Sequence, residues 1–138
     1  MKKMILAFSV LTLVFASCKK DKIDEPVTPT KENLTGSYKL TSFTMTSGTS
    51  TLDLFLMMEA CDKDDSYKLN ADNSYTVKDD GIVCSPSNDY TGGSWSLVNS
   101  TTINLDGEIG TIKSWNGKTL VLEGSDSGVS YSQTYVKQ

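Results

Sequence analysis

The chain has 138 residues, 38% apolar and 22% charged, with 17 acids against 13 bases and a formal net charge of -4; this describes one small domain with short appendages, neither two domains nor a disordered chain. Every base is a lysine, and with no arginine and no histidine the sequence excludes His-ligated metal sites, His-based acid–base catalysis and bidentate arginine clamps. The acidic balance argues against nucleic acid as a partner, because its binding needs a basic stripe to displace counterions.

Lys2 and Lys3 precede the apolar run 4–16, and Ala16 and Ser17 then lead into Cys18. That run is shorter than the ~17–25 residues that span a bilayer, so residues 1–17 read as a signal peptide whose helix is cleaved on export. Phe15-Ala16-Ser17-Cys18 resembles the lipobox of bacterial lipoproteins, with Phe15 where that family usually has Leu or Val. The resemblance implies a lipidated Cys18 at the mature N-terminus. At ~0.8 kcal/mol per buried methylene, several acyl chains would make the membrane anchor effectively permanent.

Residues 18–33 carry that cysteine and then charges, threonines, Pro26 and Pro29 with almost no apolar content, the composition of a flexible, extended linker. The mixture of lysine and acid after Cys18 resembles the export tags of surface-exposed Bacteroidota lipoproteins; a generic tether on a periplasm-facing protein is the alternative. The expected location is the outer membrane, with its face left open.

Residues 34–138 form the expected domain, with seven lysines against thirteen acids, about -6. Helical periodicity is nearly absent, and short alternating runs recur between turn signals. The first strand, Gly36–Met45, carries Tyr38 and Leu40 on one face and Phe43 and Met45 in the opposite phase, which predicts a bulge near Ser42. Between it and the next strand, residues 51–60 read two ways: a short amphipathic helix grouping Leu52, Phe55 and Leu56, or a strand with Leu52, Leu54 and Leu56 on one side. Ser66–Asn70 and Ser74–Asp79 predict a hairpin across Ala71-Asp72-Asn73, with Tyr67 and Leu69 facing Tyr75 and Val77. Gly93–Val98, Thr101–Asp106, Glu108–Trp115, Lys118–Glu123 and Val129–Lys137 supply five more strands, with Asn116-Gly117 as a two-residue turn. Eight short strands in sequence predict an all-β, small eight-stranded antiparallel up-and-down barrel, which removes both open edges by pairing its last strand with its first.

Leu34-Thr35-Gly36-Ser37-Tyr38-Lys39-Leu40 resembles the Gly-x-Trp opening strand of lipocalin-like proteins, with Tyr38 in the tryptophan's place. The order Cys61-x-x-Asp64-Asp65, then Cys84, then Gly93-x-Trp95 closely resembles the lipocalin-like domain of small Bacteroidota lipoproteins. The resemblance covers nearly all of residues 34–138 and implies a small lipocalin-like barrel, without a characterised activity to carry onto any residue.

With Cys18 assigned to lipid, Cys61 and Cys84 remain in an oxidising compartment, spaced to staple the two ends of a hairpin. They lack the close Cys-x-x-Cys arrangement of a redox pair. The acids Asp62, Asp64, Asp65, Asp79 and Asp80 cluster around the same hairpin and make a calcium site thinkable, but turn residues solvating loop ends explain them more simply, and no metal or other cofactor is expected. Asp79 and Asp80, being adjacent on a strand, point to opposite faces and do not flank a glycosidic bond. No nucleophile elbow, phosphate loop or metal-ligand constellation is present, so the chain reads as a monomer without enzymatic activity.

Two functions survive. In one, the barrel binds a small apolar or amphipathic ligand, with Phe55, Met58, Tyr67, Tyr75, Trp95 and Tyr131 as the candidate binding residues, the first two on a lid over the mouth. In the other, side chains fill the barrel and the protein serves as an envelope structural or interaction component through its outer surface.

Overall fold

The fold is that of a computed structural model, described for residues 26–138; the expected signal peptide, Cys18 and the first part of the linker lie outside the described residues. Nine strands and three single-turn helices follow one another: α1 Lys31–Leu34, β1 Gly36–Ser47, β2 Ser50–Asp53, α2 Leu54–Met57, α3 Ala60–Lys63, β3 Ser66–Leu69, β4 Ser74–Lys78, β5 Tyr90–Asn99, β6 Thr102–Leu105, β7 Glu108–Trp115, β8 Thr119–Asp126 and β9 Val129–Lys137. From β3 onward each strand pairs antiparallel with the next, and β1 pairs with both β3 and β9. Eight strands therefore close into a barrel, and β2 folds back as a hairpin on the half of β1 that extends beyond β3.

Closure runs along nearly all of β1, from Tyr38 opposite Lys137 to Ser47 opposite Val129. The register shifts between Leu40 and Ser42. This extra residue reverses the alternation, so that Tyr38 and Leu40 before it and Phe43 and Met45 after it all face the interior. Directly opposed residues share a face, and the pairs Leu40–Tyr135, Phe43–Gln133 and Met45–Tyr131 confirm this phase on both strands.

The tight turns sit where glycine, or a short polar residue, accepts positive φ. Asp106-Gly107 (φ 54° and 91°) and Ser127-Gly128 (φ 49° and 82°) are both two-residue loops, joining Leu105 to Glu108 and Asp126 to Val129. Their twist matches that of the strands they connect. Asn116-Gly117 behaves differently from the two-residue expectation. Trp115 pairs with Leu120, only Gly117 takes positive φ, and the Asn116 side chain closes the longer turn by accepting from the N–H groups of Lys118 (2.9 Å) and Thr119 (2.6 Å). Residues 50–57 follow neither sequence reading whole: Ser50–Asp53 is strand and keeps Leu52, after which the Asp53 carboxylate caps α2, which takes Leu54, Phe55 and Leu56, by accepting from Leu56 N–H at 3.1 Å.

One end of the barrel is solid. Thr30 and Asn33 cap α1 reciprocally, and the fully buried Leu34 from that turn joins Tyr38, Leu69, Trp95, Ile103, Ile112, Trp115, Leu120 and Leu122 in a continuous core. Two polar ends find backbone partners there, Trp95 Nε1 donating to Asn70 O at 2.8 Å and the Tyr38 hydroxyl to Leu34 O at 2.5 Å, while Trp115 Nε1 is buried without a partner among the described residues. Lys137 Nζ donates to Asn33 O at 2.7 Å while lying over the Tyr38 and Trp115 rings. Trp95 is 2% exposed at the centre of this core. Trp95→Ala is expected to cost about 3–5 kcal/mol in urea denaturation; a loss below about 1 kcal/mol would mean the ring is not packed as described.

Candidate functional site

The inward rows of β7 and β8 change character along the barrel. On β8, Leu120 and Leu122 are buried, and the next inward positions are Gly124 and Asp126. On β7, Trp115 and Ile112 are buried, followed by Gly110 and Glu108 toward the other end. Each row thus passes from large apolar groups through a glycine to a carboxylate. The glycines withhold side chains where the lumen widens: a Cβ on Gly124 would meet nothing within 4 Å, and Gly110 lies opposite Ile103.

The result is a cavity of about 330 Å³ at the mouth, opposite the core. Its walls are Phe43 from β1, Tyr131 and Gln133 from β9, and the β7–β8 row just described with its neighbours Ile109, Glu123 and Ser125, over Leu105 and Leu122. The Phe43 and Tyr131 rings pack tilted, with centroids 6.3 Å apart. Leu105 and Leu122 also roof a second cavity of about 20 Å³, lined by Tyr38, Tyr67, Tyr75 and Tyr135 among others. That volume admits a single water-sized occupant and no ligand. Burial pushes the Tyr67, Tyr75 and Tyr135 hydroxyls to higher pKa, so they stay neutral donors at any physiological pH.

The six candidate binding residues separate accordingly. Tyr131 lines the mouth cavity, Tyr67 and Tyr75 line the small cavity beneath it, and Trp95 belongs to the core. Phe55 and Met58 line neither; Phe55 packs under Lys63 Nζ, 5.7 Å from its ring centroid. The segment that carries them, from α2 to α3, packs against β1, and neither residue closes over the cavity lining as a lid. Phe43, Leu105, Leu122 and Gln133 line the cavity without having been singled out from the sequence. The signal for them is the bulge in β1, which turns Phe43 inward, together with the every-second-residue row on β8.

Two loops at the mouth end are tied together. Cys61 in α3 and Cys84 in the β4–β5 loop form a disulfide, and closing a loop of 23 residues contributes about 3 kcal/mol in the chain-entropy picture. The acids act as loop anchors. Asp79 accepts from the N–H groups of Cys84 and Asn88, and the Asn88 bond foremost holds its pKa below the usual range. Asp64 accepts from Ile82 N–H at 2.8 Å, while Asp80 accepts from Ser66 and pairs with Lys78. Asp79 and Asp80 therefore turn to different partners, and the trio of potential metal ligands found among the described residues is Cys61, Asp62 and Cys84, whose sulfurs are bonded to each other. On their outer side these loops expose Leu56, Met57, Ile82 and Val83, each by 60% or more.

Asp64 and Asp65 each bury an Oδ1 that has no partner among the described residues, and Asp65 is the more deeply buried of the two. Asp65 is 4% exposed, and burial, then Asp79, Asp62 and Asp64, push it up to about 6. Because the folded group titrates near 6 and an unfolded aspartate near 3.8, the buried charge costs stability in full above pH 6, and the cost vanishes as pH falls below the unfolded value. Asp65→Asn is therefore expected to raise Tm at pH 8 by on the order of 5 °C and to leave it unchanged near pH 3.5. Thermal melts across that range check this; an equal effect at both ends would refute the assignment.

Among the described residues no helix is long and apolar enough to cross a membrane. In comparison with known proteins, the profile of the lipocalin-like domain matches residues 34–122, from the Leu34 plug to the Leu122 floor of the mouth. No curated protein and no solved structure matches the chain significantly. With its eight-stranded closed barrel, capped at one end and hollow at the other, the chain belongs to the lipocalin-like domain family.

Proposed function

We propose that the protein binds a small apolar or amphipathic molecule in the mouth of its barrel, without transforming it, while anchored to the outer membrane through lipid on Cys18. The observation that carries the binding reading is the 330 Å³ cavity. It lies within the range of small-molecule sites and combines an apolar floor with a few polar groups at the rim. A lipocalin-like barrel suits such a role. The filled lower half supplies rigidity, and the ligand need not unpack the core to enter.

The anchor rests on the lipobox-like Phe15-Ala16-Ser17-Cys18 and the linker behind it. Val27 N–H donates to Trp115 O at 2.9 Å, so the described chain begins at the closed end, which supports a mouth turned away from the anchoring membrane. The rival role, an envelope interaction component working through its surface, draws support from the exposed Leu56, Met57, Ile82 and Val83 on the disulfide-linked loops.

Gly124→Phe tests the binding reading, since Gly124 has no positive φ and its missing side chain faces open space. The variant is expected to keep the wild-type Tm within a few degrees and to lose at least about tenfold in affinity for an apolar fluorescent probe such as N-phenyl-1-naphthylamine. Unchanged probe affinity in a folded variant would favour the surface role. Cys18→Ser is expected to move the protein from the membrane fraction to the soluble fraction, and retention in the membrane would contradict lipid anchoring.

A further inference from the structure

The mouth cavity is bordered by three carboxylates and no cation, and one of the three, Glu123, is already paired with Lys113. Glu108 and Asp126 end the inward rows of β7 and β8 at the rim, and neither takes part in an ion pair among the described residues. Gln133 adds a neutral amide, and below these groups the walls are Phe43, Tyr131 and Leu122. The lysines that come near this end are engaged elsewhere. Lys113, on the outward face of β7, pairs with Glu123 across the barrel's outer surface. Lys63 Nζ donates to Leu56 O at 3.3 Å, and Lys78 pairs with Asp80 at 3.0 Å. Lys137 lies in the closed end, over Tyr38 and Trp115.

We propose that the cavity selects a small amphipathic cation, a primary amine carrying a short alkyl or aromatic body; this deepens the ligand-binding reading above and rests on it. The apolar floor of Leu105 and Leu122 offers no hydrogen bond to a polar group, so the ligand's body enters first and its head stays at the rim. At the rim, an ammonium meets Glu108 and Asp126 as opposite charges and donates to their oxygens. A carboxylate head in the same place meets two like charges, with neutral donors alone, among them the Gln133 amide, to solvate it. The faces of Phe43 and Tyr131 favour a cation in addition, and the domain's net charge of about -6 raises the local concentration of cations and lowers that of anions.

The test is calorimetric titration of the full chain, at low ionic strength and neutral pH, with octylammonium, octan-1-ol and octanoate, which share one apolar body and differ in the head. Octylammonium is expected to bind about tenfold tighter than octanoate, with the alcohol between them, the range that two partly exposed charge pairs supply. In the Glu108→Gln/Asp126→Asn double variant the three are expected to fall within about twofold of one another, with Tm unchanged. Equal affinities for octylammonium and octanoate in the wild type, both lost in Gly124→Phe, would overturn the charge preference and leave the cavity standing. Ammonium binding that survives Gly124→Phe would place the amine on the outer acidic surface and overturn the proposal. No binding of any of the three would overturn the cavity reading itself.

Discussion

The backbone ladder between β1 and β9 joins the two ends of the domain, and the interior exists because of it. Unpaired, the two strands would each present a row of free N–H and C=O groups, and the sheet would lie open on both faces. Paired from Tyr38–Lys137 to Ser47–Val129, they turn one face of every strand into lumen. The ladder also carries the bulge between Leu40 and Ser42, with the Thr41 hydroxyl donating across to Thr134 O at 3.1 Å. Without that extra residue, either Tyr38 and Leu40 or Phe43 and Met45 would face solvent. One irregularity therefore lets a single strand serve both the core and the mouth.

Filling half of the lumen reconciles stability with function. The closed end concentrates Trp95, Trp115, Tyr38 and Leu34, where burial of large rings and aliphatic groups yields most of the folding free energy. The mouth gives up that gain: Gly110 and Gly124 stand where larger inward side chains would add burial, and carboxylates occupy the last inward positions. The loops around the mouth compensate through covalent and polar ties, the Cys61–Cys84 disulfide and the Asp64 and Asp79 carboxylates on loop N–H groups. Asp65, buried against three other acids, is a cost carried at the same end. Charge of one sign gathered around an unfilled apolar space is a pattern that core packing alone does not require.

Much of this was legible in the sequence because alternation is a local signal. The strands, the bulge near Ser42, the hairpin placing Tyr67 opposite Val77 and Leu69 opposite Tyr75, and the Cys61–Cys84 pairing follow from short stretches, and the structure has them. The turns were harder. Asn116-Gly117 has the composition of a two-residue loop, yet the register of β7 against β8 makes it longer, while Asp106-Gly107 and Ser127-Gly128 take that geometry. Residues 50–57 mixed two periodicities because they hold two elements. The binding residues were least legible, because which aromatic reaches the mouth depends on its height along the barrel, and height is set by pairing between residues as much as 99 positions apart. Trp95 and Tyr131 look alike as inward aromatics; one sits in the core and the other at the rim. The row Leu120, Leu122, Gly124, Asp126 did hold the information, once every second residue is read as a profile of depth.

The central claim is the division of the lumen into a solid end and a hollow one, and nuclear magnetic resonance tests it most directly. With methyl and aromatic groups assigned, titration with the neutral probe octan-1-ol is predicted to shift Phe43, Leu105, Leu122 and Tyr131 together while Leu34, Trp95 and Trp115 stay in place. Shifts centred on Trp95 and Trp115, or confined to Leu56, Met57, Ile82 and Val83 on the outer loops, would contradict it.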